Sequence, residues 1–268
     1  MAAGPCAASG TSIRQHDHAD FYPTIRASDV FLCAYPKSGT TWLGFLIAQV
    51  LKPDPDEQLD LKSFDKFVPD VNLSYNKRGS LASYADWLDP RFFRCHAACD
   101  EHLPRAIYVL RDPRDVMLSY WHYKKFLSKD FTLSLGEYLQ SDDHWPCQWD
   151  EHVSSWLLPR RHPNLLVVKY EQMHAQTAQV LRDVLDFAGL SCTKEQVGRA
   201  VEASRFDRMR AAEEKFGVHG KAGDEKERFV RKGKTGSWRD EMTEPDLRIL
   251  EQKYGPVMRE VGYPPVTG

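Results

Sequence analysis

The chain has 268 residues, 42% of them hydrophobic and 12% aromatic, and a formal net charge of −2. That supplies one full α/β core, while the near-neutral balance excludes capture of nucleic acid or an anionic membrane by bulk charge; any anion site must be a local cluster of cations. Six irregularly spaced cysteines suit a reduced, cytoplasmic protein better than a disulfide framework.

The first 20 residues carry no basic stretch followed by an apolar one, so they do not read as a signal peptide and are expected to be flexible. An apolar run from Val30 stops at Pro36 and reads as a buried strand. It turns through Lys37-Ser38-Gly39-Thr40 into a stretch from Thr41 to Leu51 with helical spacing, which the Lys-Pro-Asp-Pro sequence after it ends. The longest apolar stretch, Trp42–Leu51, is interrupted by Gly44 and Gln49 and is too short to span a bilayer, so no membrane partner is expected.

Ala106–Leu110 is next, followed by Arg111 and a helix from Asp115 to Phe126, with Asp112 suited to the N-cap and Pro113 to the first turn. A third unit runs from Leu165 to Tyr170 and on through a helix to Leu190, with Gly189 as its stop. Strands alternating with helices imply an α/β fold: one domain over 1–268, a central parallel sheet flanked by helices, and a P-loop-like strand–loop–helix at its first turn. Between Glu213 and Gly236 charges and glycines displace apolar residues, so 213–236 is expected to be a mobile loop over the site. Helical periodicity returns from Glu244 to Val261.

Three segments carry chemistry. In Tyr35-Pro-Lys-Ser-Gly-Thr-Thr-Trp42, a helix N-terminus and its amides are aimed at one point beside the charge of Lys37 and the hydroxyls of Ser38, Thr40 and Thr41, while Gly39 admits close backbone approach. The lysine precedes the glycine, so the nucleotide P-loop pattern is not met, and no acidic partner for Mg²⁺ stands out; a phosphate-like group held without a metal is the better reading. This octapeptide resembles the phosphosulfate loop of the cytosolic sulfotransferases. Arg111-Asp-Pro-Arg-Asp-Val-Met-Leu-Ser119 resembles that family's 3′-phosphate site, and Arg231-Lys232-Gly233 its late basic motif. An ordinary strand-to-helix turn, an Arg–Asp network through Asp112 and Asp115, and a solvated charge run are the plain alternatives to the three.

The resemblance implies 3′-phosphoadenosine-5′-phosphosulfate (PAPS) as co-substrate, the bisphosphate PAP as product, no metal, and a small-molecule acceptor such as a phenol, alcohol or sterol. It implies that Lys37, Ser38, Gly39, Thr40 and Thr41 hold the phosphosulfate, that Arg111, Ser119, Arg231, Lys232 and Gly233 hold the 3′-phosphate, and that Trp42, Tyr170, Ser204 and Phe206 surround the nucleotide. Ser204 stands where the family usually has threonine. His96 corresponds to the general base at the end of the family's Lys-Thr-His strand. Arg94 and Cys95 depart from that motif, which leaves the catalytic part of Arg94 open, because a guanidinium is a fork and not a point charge. Cys95, His96, Cys99 and His102 also permit a zinc reading, but their spacing is not that of a paired knuckle. Tyr120 and Tyr123 are candidates for lining the acceptor site, with core packing as the equal alternative. The Lys-Thr-Val dimer signature is not present, and the oligomeric state, homodimer included, stays open. Two further readings remain: an ATP- and Mg²⁺-dependent P-loop kinase, and an idle nucleotide-binding protein.

Overall fold

The computed structural model describes residues 24–71, 86–158, 162–216 and 233–265. Four strands form one sheet: β1 (Val30–Cys33), β2 (Phe92–Cys95), β3 (Ala106–Leu110) and β4 (Leu165–Lys169). Their order is β2-β1-β3-β4, and every pairing is parallel. Parallel pairing requires crossovers, and the helices provide them on both faces.

Helix α1 (Thr40–Leu51) follows β1 and α2 (Pro113–Leu127) follows β3. Shorter helices α3 (Leu135–Gln140) and α4 (Trp149–Leu157) lead to β4. Beyond it lie α5 (Tyr170–Ala175), α6 (Thr177–Ala188), α7 (Lys194–Ala203), α8 (Phe206–Phe216), the one-turn α9 (Trp238–Glu241) and α10 (Glu244–Glu260). The helix expected after β4 is thus two, broken at Gln176, and it closes on Gly189 in the left-handed conformation (φ 81°). Asp112 caps α2 by accepting the Arg114 N–H, with Pro113 in the first turn. The shift in composition at Glu213 does not end the helix there: α8 runs through to Phe216. Its charged residues are good helix formers, so propensity outweighs the shift in composition there. Residues 217–232, like the N-terminal 1–23, lie outside the described residues.

Alternation along the strands divides the core in two. Val30, Leu32, Phe92, Ile107 and Val109 face α1, α6 and α7, while Phe31, Cys33, Phe93, Ala106 and Tyr108 face α2, α4 and α10. All four strands are parallel, so all four carboxyl ends lie on one edge. The chain leaves β1 toward β2 on one side, and β3 and β4 lie on the other; this reversal opens a crevice between β1 and β3, where open α/β sheets bind ligands.

Candidate active site

Each strand delivers a candidate residue to that edge. Lys37 follows β1, His96 follows β2, Arg111 follows β3 and Tyr170 follows β4. In the β1–α1 turn, Lys37 takes a positive φ of 68° and Gly39 one of 113°. A Cβ on Gly39 would lie 2.5 Å from the Tyr170 ring, so both the conformation and the close approach require glycine. No side chain caps α1 and no acidic residue sits in its first turn, which leaves the positive end of the helix dipole to other anions. Ser38 and Thr40 are buried around this point and Thr41 is half-buried. The Lys37 ammonium lies 4.2 Å from the centre of the Tyr123 ring.

Arg111 ties three segments together. Its Nη1 donates to the Lys37 carbonyl (2.9 Å), its Nη2 to the Lys234 carbonyl (3.3 Å), and its guanidinium stacks 4.2 Å above Tyr170. Its Nε is buried without a partner. The carboxylates that offered an ordinary ion-pair explanation are engaged elsewhere: Asp112 chelates Arg114 (2.8 and 2.7 Å), and Asp115 accepts from the Gly236 (2.6 Å) and Trp238 (3.2 Å) amides. Ser119 lies one helical turn beyond Asp115, and so on the same face of α2. Gly233 is left-handed (φ 56°), and a Cβ there would overlap the Phe206 ring. Arg231 and Lys232 lie outside the described residues.

An aromatic group stands beside Arg111. Trp42 contacts Tyr170 (5.9 Å between ring centres) and His174 (4.8 Å), and donates its indole N–H to the Ser204 carbonyl at 3.0 Å. The Ser204 hydroxyl is buried and unpartnered. Lys37, Arg111, Tyr170, Trp42 and Ser204 are thereby joined through direct contacts, although 167 residues separate the first from the last. His174 had escaped the sequence reading, and its place one turn after Tyr170 was the available signal.

His96 is half-buried, and its Nδ1 lies 2.7 Å from the Ala34 carbonyl. A carbonyl can only accept, so Nδ1 carries the proton and Nε2 of the neutral ring keeps its lone pair. Burial lowers the His96 pKa below its ordinary value; the Asp70 charge and the Ala34 bond oppose this, while Arg94 and Lys37 reinforce it. Behind it, the Tyr108 hydroxyl donates to His152 Nδ1 (2.9 Å), and His152 Nε2–H donates to the His96 carbonyl (3.2 Å). Arg94 is placed differently from a free cation. Its Nε donates to the Val68 carbonyl (3.1 Å), its Nη2 pairs with Asp65 (2.5 Å), and its guanidinium covers the Phe64 ring at 4.7 Å.

On the acceptor side, Tyr120 is buried and its hydroxyl donates to the Trp145 carbonyl at 3.0 Å. Tyr123 is half-buried beside it, 6.4 Å between ring centres, and the Trp145 ring meets His96 edge-on at 6.0 Å. Among the described residues no group of three His, Cys, Asp or Glu side chains is arranged to hold a metal ion, and this includes the Cys95–His102 stretch. No described helix is long and apolar enough to cross a membrane.

The profile of the sulfotransferase domain matches residues 27–262. The guinea pig (Cavia porcellus) 3-alpha-hydroxysteroid sulfotransferase is 28% identical over 260 residues, covering 90% of this chain and 86% of that protein. Sulfotransferase 4A1 of Mus musculus is 30% identical over 202 residues, 70% of this chain and 69% of its own. Among solved structures, retinol dehydratase in a complex with retinol and PAP superposes with a TM-score of 0.68 at 23% identity, over 92% of this chain and 86% of that one. Mouse sulfotransferase SULT7A1 complexed with PAP gives 0.61 at 23% identity, over 88% and 87%. The match spans all four strands and every described candidate residue, and the chain belongs to the sulfotransferase family.

Proposed function

We propose that this sulfotransferase moves the sulfuryl group of PAPS to a hydroxyl of a small, largely apolar acceptor, with His96 as the general base. The observation that carries the reading is the Nδ1–H bond of His96 to Ala34, which leaves Nε2 as the proton acceptor at the sheet edge that also holds Lys37. Relatives named for hydroxysteroids, and a related fold solved with retinol, support an alcohol of this size and polarity.

The chain's own residues suit the nucleotide. Arg111 Nε and the Ser204 hydroxyl are buried donors without partners, the arrangement expected where a phosphate and a nucleoside are received. Gly39 and Gly233 keep backbone close to the aromatic rings that flank the site. Lys37, the α1 amides and the Thr40 and Thr41 hydroxyls hold the 5′-phosphate, and Arg111 and Ser119 hold the 3′-phosphate. Arg231, Lys232 and Gly233 complete that second site by resemblance. Trp42, Tyr170 and Phe206 border the base.

PAPS supplies an activated sulfuryl group whose bond to the 5′-phosphate breaks as the acceptor oxygen bonds to sulfur. His96 Nε2 takes the acceptor's proton during this displacement. Lys37 balances the charge that grows on the departing phosphate oxygen, a preorganised electrostatic contribution. Tyr120, Tyr123 and the Trp145 ring bound the acceptor and exclude water beside His96. Arg94 acts through the segment it anchors.

Calorimetric titration with PAP, 5′-AMP and ATP with Mg²⁺ tests the reading. Binding of PAP at micromolar concentration or below, at least about 100-fold tighter than 5′-AMP, is expected from the charge-assisted bonds to the 3′-phosphate. Preference for ATP with Mg²⁺ would turn the assignment to a kinase. His96→Ala is expected to bind PAP as the wild type does and to lose on the order of 10²–10⁴ in sulfation rate.

A further inference from the structure

Asp115 is a buried carboxylate, 2% exposed, in the first turn of α2. The helix dipole favours an acid there, but an exposed one would serve, and burying a charge costs more than the dipole returns. The compensation comes from a distant part of the chain. One oxygen of Asp115 accepts the Gly236 amide at 2.6 Å and the other accepts the Trp238 amide at 3.2 Å, bonds that span 121 and 123 residues. The 233–238 turn is thereby fastened to the start of α2.

Other contacts locate the same turn. The Arg114 guanidinium, itself held by Asp112, lies 4.3 Å from the centre of the Trp238 ring, and that ring is buried in the half of the core that faces α2. At the other end of the turn Gly233 packs directly on Phe206, and the Lys234 carbonyl accepts Arg111 Nη2 at 3.3 Å. Arg111 therefore rests on the turn that Asp115 fastens. Its Nε is the buried donor without a partner, and Ser119 stands one turn beyond Asp115 on the same face of α2. Asp115 thus lies behind every described group assigned to the 3′-phosphate, tied to them by hydrogen bonds through the turn and by the helix itself.

We propose that Asp115 is a positioning residue for the nucleotide: by clamping the 233–238 turn to α2 it holds Gly233 and Arg111 in place for the 3′-phosphate, and so sets the discrimination against nucleotides that lack that group. The inference rests on the reading of Arg111 as a ligand of the 3′-phosphate. Asp115 acts through the turn and gives and takes no proton. Both of its oxygens are engaged by amides, and this makes the carboxylate hard to replace. Asparagine has one acceptor oxygen and presents an NH₂ group to the second amide, so it keeps one bond and loses the other. Serine is too short to reach both.

The test is calorimetric titration of the wild type, Asp115→Asn and Asp115→Ser with PAP and with 5′-AMP. The ratio of the two affinities is expected to fall about tenfold or more in both variants, the worth of one charge-assisted hydrogen bond, while affinity for 5′-AMP changes less than about threefold. The KM for PAPS should rise in step and kcat at saturation should change far less. A second measurement needs no variant. Coupling between two sites is reciprocal, so PAP is expected to slow hydrogen exchange of the Gly236 and Trp238 amides about tenfold more than 5′-AMP does at equal saturation. An unchanged affinity ratio in a folded variant, or equal protection of the two amides by both nucleotides, overturns the proposal. A wild type that binds PAP no more tightly than 5′-AMP would instead overturn the 3′-phosphate reading on which it rests, so the two failures are distinct.

Discussion

The Arg111 guanidinium donates to the carbonyl oxygen of Lys37 at 2.9 Å, joining the residue after β3 to the residue after β1. One side chain therefore holds the loop that carries Lys37 and presents a buried, unpartnered Nε beside Tyr170, so in the proposed nucleotide site it would have two parts to play.

Arg111→Ala removes both contributions. Charge-assisted hydrogen bonds contribute about 1.5–3 kcal/mol each, so PAP affinity is expected to fall on the order of 10²-fold, whereas affinity for 5′-AMP falls less. Calorimetry on the two ligands separates the effects. An equal loss for both would assign Arg111 to loop geometry alone.

Gly39→Ala introduces a methyl group 2.5 Å from the Tyr170 ring at a φ of 113°. A non-glycine residue held in such a conformation costs about 1–3 kcal/mol before the overlap is counted. For a chain of this size each kcal/mol lowers Tm by about 2–4 °C, so a fall of several degrees and weaker PAP binding are expected. Thermal denaturation with and without PAP checks both; a Tm within a degree of the wild type would show that the loop relaxes freely.

Acid should unfold the protein through its buried histidines. His152 is pushed down to about 3 and His144 to about 4, each chiefly by burial, from an ordinary value of 6.5. Both are neutral in the fold, and the unfolded chain binds the extra protons as pH falls through 6.5. Stability is therefore fully present above about pH 6.5 and is lost below it, by about 1.4 kcal/mol per histidine for each pH unit until the folded value is reached. Urea denaturation at pH 7.5, 6.5 and 5.5 should show a loss of about 2 kcal/mol over the last step, because the unfolded histidines are already half protonated at 6.5, and about half of that loss in His144→Gln. A flat profile would mean that water reaches these rings.

The sequence alone settled the parallel α/β architecture, because the strand–turn–helix units are local and their apolar periodicity is written in adjacent residues. It also makes Lys37, Arg111 and Tyr170 candidates, since each follows a legible strand and a parallel sheet carries its strand ends to one edge, while Gly39 and His96 are candidates through the motifs they stand in. Tertiary structure decided the rest. That Arg111 joins Lys37 to Lys234, or that Trp42 reaches Ser204, depends on contacts across 74 to 162 residues that no local pattern encodes. The tautomer of His96 follows from the Ala34 carbonyl just past the end of β1, and the support of His152 from a helix 56 residues away. The part of Arg94 is open in the sequence, and only the packing of the 64–71 segment shows the carbonyl and carboxylates that its donors meet, because those groups lie 24 to 29 positions away in the chain.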